Sequence, residues 1–137
     1  MADMGDDILG TALEIATKAY ELWKKREIDA VAALFGDGGL LAIPGRAKIS
    51  GDHRGQAAAS TVLEQIAAAS TGGKHRQEPI CSYSSSSGAM FVFDNFVTLD
   101  GKTEQYHSVH EWITRDGKLV AMMVYVHEYD VFERAWA

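Results

Sequence analysis

A chain of 137 residues with 47% hydrophobic and 23% charged residues has the make-up of an ordinary globular protein and the length to bury one core. Its net charge of −6 excludes a phosphate-tracking surface, because nucleic-acid binding requires clustered Lys and Arg. One cysteine, Cys81, excludes an intramolecular disulfide; no run approaches the ~18 consecutive apolar residues of a membrane span, and the acidic start (Asp3, Asp6, Asp7) lacks the pattern of a signal peptide. The expectation is one domain over residues 1–137, cytoplasmic, with neither nucleic acid nor membrane as partner.

Residues 1–5 carry no periodicity. From about residue 6 to 26, Leu9, Leu13, Ala16, Tyr20 and Trp23 recur at helical spacing and predict an amphipathic first helix, capped by Asp6 or Asp7 or by a Thr11/Glu14 box. The Lys24-Lys25-Arg26 run at its end suits the negative end of the helix dipole. A short helix over about residues 28–35 stops at Gly36, and Leu40 to Ile43 reads as a short strand ended by Pro44-Gly45. Ser50-Gly51-Asp52-His53-Arg54-Gly55 reads as the entry to a third helix over about residues 56–69. Its inner face is Ala59, Val62 or Leu63, and Ile66, and Gly72-Gly73 ends it.

The remainder alternates as strands. Segments 74–83, 89–99, 102–114 and 118–130 are separated by the serine-rich stretch 84–88 and by Asp100-Gly101 and Asp116-Gly117, which are strong hairpin signals. Residues 131–137 form a short helix or tail.

This order, with the segment "LLAIPGRAKISGDHRG", the Arg115-Asp116-Gly117-Lys118 turn and the closing Val124-Tyr125, resembles the nuclear transport factor 2-like superfamily, and within it SnoaL-like and ketosteroid-isomerase-like proteins. The resemblance implies an α+β cone: a curved, mostly antiparallel sheet with three N-terminal helices closing an apolar pocket. It also implies a homodimer through the outer sheet face, where Val92, Phe96, Val109 and Ile113 fall. The catalytic carboxylates of its best-known members are replaced here. The position before Pro44 is Ile43, and Phe91, Phe93 and Val124 stand where an Asp-Arg-Asp set would be. One polar position matches: His110, in Ser108-Val109-His110-Glu111-Trp112, where ketosteroid isomerases carry an acid beside the developing enolate.

Two-residue turns allow faces to be assigned. With Asp100-Gly101 as the turn, Phe91 stands opposite His110, Phe93 opposite Ser108 and Asn95 opposite Tyr106, all on the inward face. For the last strand, a strict turn at Asp116-Gly117 places Met123, Tyr125 and His127 beside His110, whereas the resemblance places Met122, Val124 and Val126 there; a β-bulge reconciles the two. The expected pocket is Tyr20, Trp23, Leu40, Ala42, Phe91, Phe93, Asn95, Tyr106, Ser108, His110, Met122 and Val124.

Apolar walls with a few orienting polar groups suit a small hydrophobic, polyketide- or steroid-like molecule. Two functions follow. In one, His110 is acid/base or oxyanion donor, helped by Tyr106 and Asn95, in a cofactor-free isomerisation, cyclisation or dehydration. In the other, the pocket binds a ligand without chemistry or the chain only self-associates. His53, His75, His107 and His127 have no metal-ligand spacing, so no metal site is expected.

Overall fold

The N-terminal amphipathic stretch forms α1 (Met4–Lys24), and its end is marked by Arg26 in a left-handed conformation (φ 58°). The structure is a computed structural model; it describes residues 4–137 except 71, 73, 86 and 87, with side chains from residue 12 onward. Leu9 of the expected stripe and the capping candidates Asp6, Asp7 and Thr11 therefore lie outside the described side chains, and Gly73 and the centre of the serine stretch lie outside the described residues. The buried row of α1 is Ala12, Ala16 and Ala19, not Leu13, which is exposed. Alanines at this spacing let the helix axis approach β-strands closely, and α1 packs across three adjacent long strands at one side of the sheet, the edge strand among them.

The second helix, α2 (Ile28–Ala33), is followed by β1 (Leu40–Ile43). The expected helix entry is instead a strand, β2 (Gly51–Arg54), paired antiparallel with β1 from Leu40↔Arg54 to Ile43↔Gly51. Its two basic side chains are engaged by backbone: the His53 Nε2–H donates to the Ile49 carbonyl at 2.9 Å, and Arg54 donates to the Gly38 carbonyl at 2.9 Å. An anion site at that position is thereby disfavoured. The helix α3 (Gln56–Ala69) begins directly after Gly55 (φ 90°), where a Cβ would stand 3.1 Å from the Asp37 carbonyl oxygen, so this entry needs glycine. Ala59, Val62 and Leu63 are its buried face.

The sheet order is β2-β1-β6-β5-β4-β3, with β3 (His75–Ser84), β4 (Gly88–Leu99), β5 (Lys102–Arg115) and β6 (Lys118–Val126). Every pairing is antiparallel except β1 with β6. Asp100-Gly101 and Asp116-Gly117 both take positive φ at both positions, as two-residue hairpin turns of the primed type require. The first turn sets Leu99↔Lys102 and hence Phe91↔His110. The second sets Arg115↔Lys118 and Thr114↔Leu119, then skips Val120 so that Ile113 pairs with Ala121. That bulge turns Met122, Val124 and Val126 inward and Met123 and Tyr125 outward.

The strand β6 stops short of residue 130 because Glu128 turns left-handed (φ 56°) and starts α4 (Tyr129–Ala135). Phe132 and Trp136 are buried in the core, and the Lys48 N–H donates to the Trp136 carbonyl at 3.1 Å. The result is an α+β fold in which the three N-terminal helices and α4 close an open, mostly antiparallel sheet. Among the described residues no helix is long and apolar enough to cross a membrane.

Candidate functional site

Between the helices and the inner sheet face lies a cavity of about 120 Å³. At about 30 Å³ per liquid water it has room for a few waters, and since a cavity of about 150 Å³ takes up a benzene, it holds roughly one ring of a ligand. Tyr20 and Trp23 from α1, Phe91, Phe93 and Asn95 from β4, Tyr106, Ser108 and His110 from β5, and Met122 and Val124 from β6 all line it.

Leu40 and Ala42, expected inside, do not line it; Leu41 and Ile43 do. The parallel pairing sets this parity: Leu41 lies beside inward Met122, while Leu40 and Ala42 lie beside Ala121 and outward Met123. The sequence reading also missed Gln77 from β3, Phe132 from α4 and Trp136 just after it. The signal in the sequence for the last two was the pair of large aromatics, Phe132 and Trp136, four residues apart as on one face of a helix.

His110 is the unusual group. Protein atoms surround its ring, yet a part of its surface stays open to a water-sized probe, and that part faces the cavity. Burial pushes its pKa down to about 4, so the imidazole is neutral near pH 7. The Phe93 ring lies 4.7 Å from it, centroid to centroid, and Tyr20 lies 5.7 Å beyond Phe93. Among the described residues no hydrogen-bond partner engages either ring nitrogen, whereas the other buried polar groups of the cavity are tied to protein.

Those ties define two networks. Asn95, almost fully buried, donates from Nδ2 to the Tyr106 carbonyl at 3.3 Å and to Ser108 Oγ at 2.9 Å, and its Oδ1 accepts from Gln77 Nε2 at 3.2 Å. Asn95 is thus committed, and it fixes Ser108 as an acceptor with the hydroxyl proton still to place. The Tyr106 hydroxyl accepts from Trp136 Nε1 at 3.1 Å and lies 3.4 Å from His75 Nε2. With the indole donating, the phenol proton is free to be donated onward to His75 Nε2; in that tautomer Nδ1–H faces Ser70 Oγ at 3.4 Å, and Ser70 donates to the Ile66 carbonyl at 2.7 Å. This chain needs a neutral His75, and burial does lower its pKa to about 4. Burial likewise pushes the Tyr106 hydroxyl up to about 12. Tyr106 and Asn95, expected as helpers of His110, are therefore occupied elsewhere; Tyr106 sits four residues away along β5, about 13 Å.

Among the described residues no Asp, Glu, Lys or Arg lines the cavity. Among the described residues no group of three His, Cys, Asp or Glu side chains could hold a metal ion. His107, of opposite parity to His110, faces outward, where Nδ1 meets Glu128 Oε1 at 2.6 Å and Nε2 meets Asp94 Oδ1 at 2.9 Å. The Glu128 hydrogen bond, with smaller help from Asp94, raises its pKa.

Solved structures share this architecture. The chain superposes on Bal32a, from a soil-derived mobile gene cassette, with a TM-score of 0.81 at 18% identity over 95% of this chain and 99% of that one. An NTF2-like protein of unknown function from Burkholderia pseudomallei matches with a TM-score of 0.76 at 16% identity, over 93% and 98% of the two chains. TerC, co-crystallised with polyporic acid, matches with a TM-score of 0.74 at 21% identity, over 93% and 99%. No protein-family model and no curated protein sequence matches the chain. At these identities the likeness is one of fold: the chain has the nuclear transport factor 2-like fold.

Proposed function

We propose that this chain, acting as one cytoplasmic SnoaL-like domain, binds a small, largely apolar, oxygen-bearing molecule of polyketide or steroid type in the cavity. The observation that carries the reading is His110, an imidazole without a protein partner facing a cavity whose lining holds no charged side chain. The ring nitrogens of His110 are open to the cavity, where a ligand hydroxyl or carbonyl can take the place of water as their partner. The apolar wall of Tyr20, Phe91 and Phe93 supplies affinity, and His110 with Ser108 supplies orientation. TerC, which shares the fold, was co-crystallised with polyporic acid, and this supports small-molecule binding by analogy.

Binding is favoured over proton abstraction. An imidazole with a pKa near 4 is protonated in roughly one molecule in a thousand at pH 7 and is a weak base there. The second reading, cofactor-free isomerisation, cyclisation or dehydration, is favoured by the same neutrality in one respect. A neutral imidazole N–H in a mostly apolar cavity is an oxyanion donor, and Ser108 would be its partner. The proposed assembly is a homodimer through the outer sheet face, where half-buried Val92, Val109 and Ile113 adjoin exposed Met90 and Tyr125.

Thermal shifts with a panel of hydrophobic ketones and phenols, on wild type and His110→Phe, test the binding reading. At least one compound should raise the wild-type melting temperature by several degrees and the variant's by much less. No shift from any compound at millimolar concentration would contradict it, and turnover of a bound ketone would favour the catalytic reading.

A further inference from the structure

A positive charge lies against one wall residue of the cavity. Trp23 lines the cavity and is half-buried, and the Arg26 guanidinium lies over its ring, 4.5 Å from the centroid. Arg26 also donates from Nη1 to the Trp23 carbonyl at 2.8 Å, so the head group is held by stacking and by a hydrogen bond. Its backbone is left-handed (φ 58°), a conformation that glycine adopts without steric cost and arginine does not. Among the described residues no carboxylate pairs with it. The neighbouring Lys24 lies 4.8 Å from the centroid of the Tyr20 ring, also a cavity wall, but is paired with Glu21 at 3.0 Å. Arg26 also stands near enough to His75, at the start of β3, for its charge to disfavour protonation there. It therefore stands against Trp23, at the α1 end of a lining that continues through Tyr20 and Phe93 to His110.

We propose that Arg26 is an anion-recognition point at the rim, so that the ligand class is a small aromatic or alicyclic acid. Its apolar body fills the cavity, a hydroxyl or carbonyl meets His110, and its carboxylate or acidic enol stays at the rim on Arg26. A charge cannot be placed among uncharged, mostly apolar walls without a large desolvation cost, so an acid must leave its anionic end outside. The rim offers a cation with free donors there, on a chain whose net charge of −6 otherwise repels anions. The inference rests on the cavity being a ligand site and adds the charge of that ligand.

The test compares 6-hydroxy-2-naphthoic acid with its neutral amide, 6-hydroxy-2-naphthamide, by calorimetric titration of wild type, Arg26→Gly, Arg26→Gln and Arg26→Lys. Wild type should bind the acid about five- to tenfold more tightly than the amide at low salt, with the preference shrinking at high salt. Arg26→Gly and Arg26→Gln should bind both equally, with amide affinity within about twofold of wild type, and Arg26→Lys should keep part of the preference. Arg26→Gly relieves the left-handed backbone, so its melting temperature should be equal to or above that of wild type, which separates loss of recognition from loss of fold. Wild type binding the amide without preferring the acid, or Arg26→Gly keeping the preference, would overturn the anion-recognition role while leaving the cavity reading intact. Binding of neither compound would overturn both.

Discussion

Replacing His110 with Phe should flatten part of the acid limb of the stability curve. The native imidazole holds out against protonation until about pH 4, while in the unfolded chain it takes up its proton near 6.5. Between those values the unfolded state binds more protons, so stability falls as pH falls; above 6.5 both states are neutral and the effect vanishes. Each pKa unit corresponds to 1.36 kcal/mol, so this one histidine removes about 2–3 kcal/mol between pH 7 and pH 4.5. His75 behaves in the same direction and is retained in the variant, as are the carboxylates. The difference between the two proteins therefore isolates His110. Urea unfolding followed by tryptophan fluorescence at half-unit steps from pH 4.5 to 7.5 measures it. Wild type should lose about 1 kcal/mol more per pH unit than His110→Phe below pH 6.5, and the two curves should run parallel above it. Parallel curves over the whole range would mean that His110 titrates as a solvated histidine, and the attribution of its low pKa to burial would fail.

Direct titration of the imidazoles by NMR should place His110 and His75 well below 6.5 and His107 above it, because His107 alone gains carboxylate partners. Leu41→Ala should cost about 2–5 kcal/mol in chemical denaturation, and Leu40→Ala clearly less, since only Leu41 is fully buried against Met122. Tyr106→Phe deprives the Trp136 indole of its acceptor and should cost about 1–3 kcal/mol, while leaving ligand affinity at His110 within about threefold. Val109→Glu places a charge in the centre of the outer face and should convert a dimer to a monomer by sedimentation, with the melting temperature of the monomer close to that of a dilute wild type.

Where the chain could be read, it was through local chemistry. Asp100-Gly101 fixed a two-residue turn, and simple counting then put Phe91 opposite His110 and Asn95 opposite Tyr106. The same counting from Asp116-Gly117 conflicted with the family likeness because a bulge at Val120 intervenes, and no residue type there announces one. The errors concern pairings between distant segments. Strand β1 is only four residues long, so its own alternation is too short to choose a face; parallel pairing to β6, some eighty residues later, chooses Leu41 over Leu40. Gly51-Asp52-His53-Arg54 has no apolar alternation at all and is a strand only because β1 presents an edge to it. Leu13 looked like core because leucine is apolar, but the close approach of α1 to the sheet demanded the smaller Ala12, Ala16 and Ala19. At the site, residue types could be listed but their partners could not. That Asn95 and Tyr106 are spent on Ser108, Trp136 and His75, leaving His110 free, depends on rotamers set by the whole core.

The central claim is that His110 is a neutral, unpartnered imidazole that a bound molecule engages. Nitrogen-15 spectra of the imidazole rings at pH 7, recorded during titration with 2-naphthol, test it most directly. Neutral ring shifts for His110 in the free protein are predicted, with one ring nitrogen moving as ligand is added and saturating together with the Trp23 indole signal. A protonated His110 in the free protein, or a ring that stays still while Trp23 reports saturation, would contradict the account.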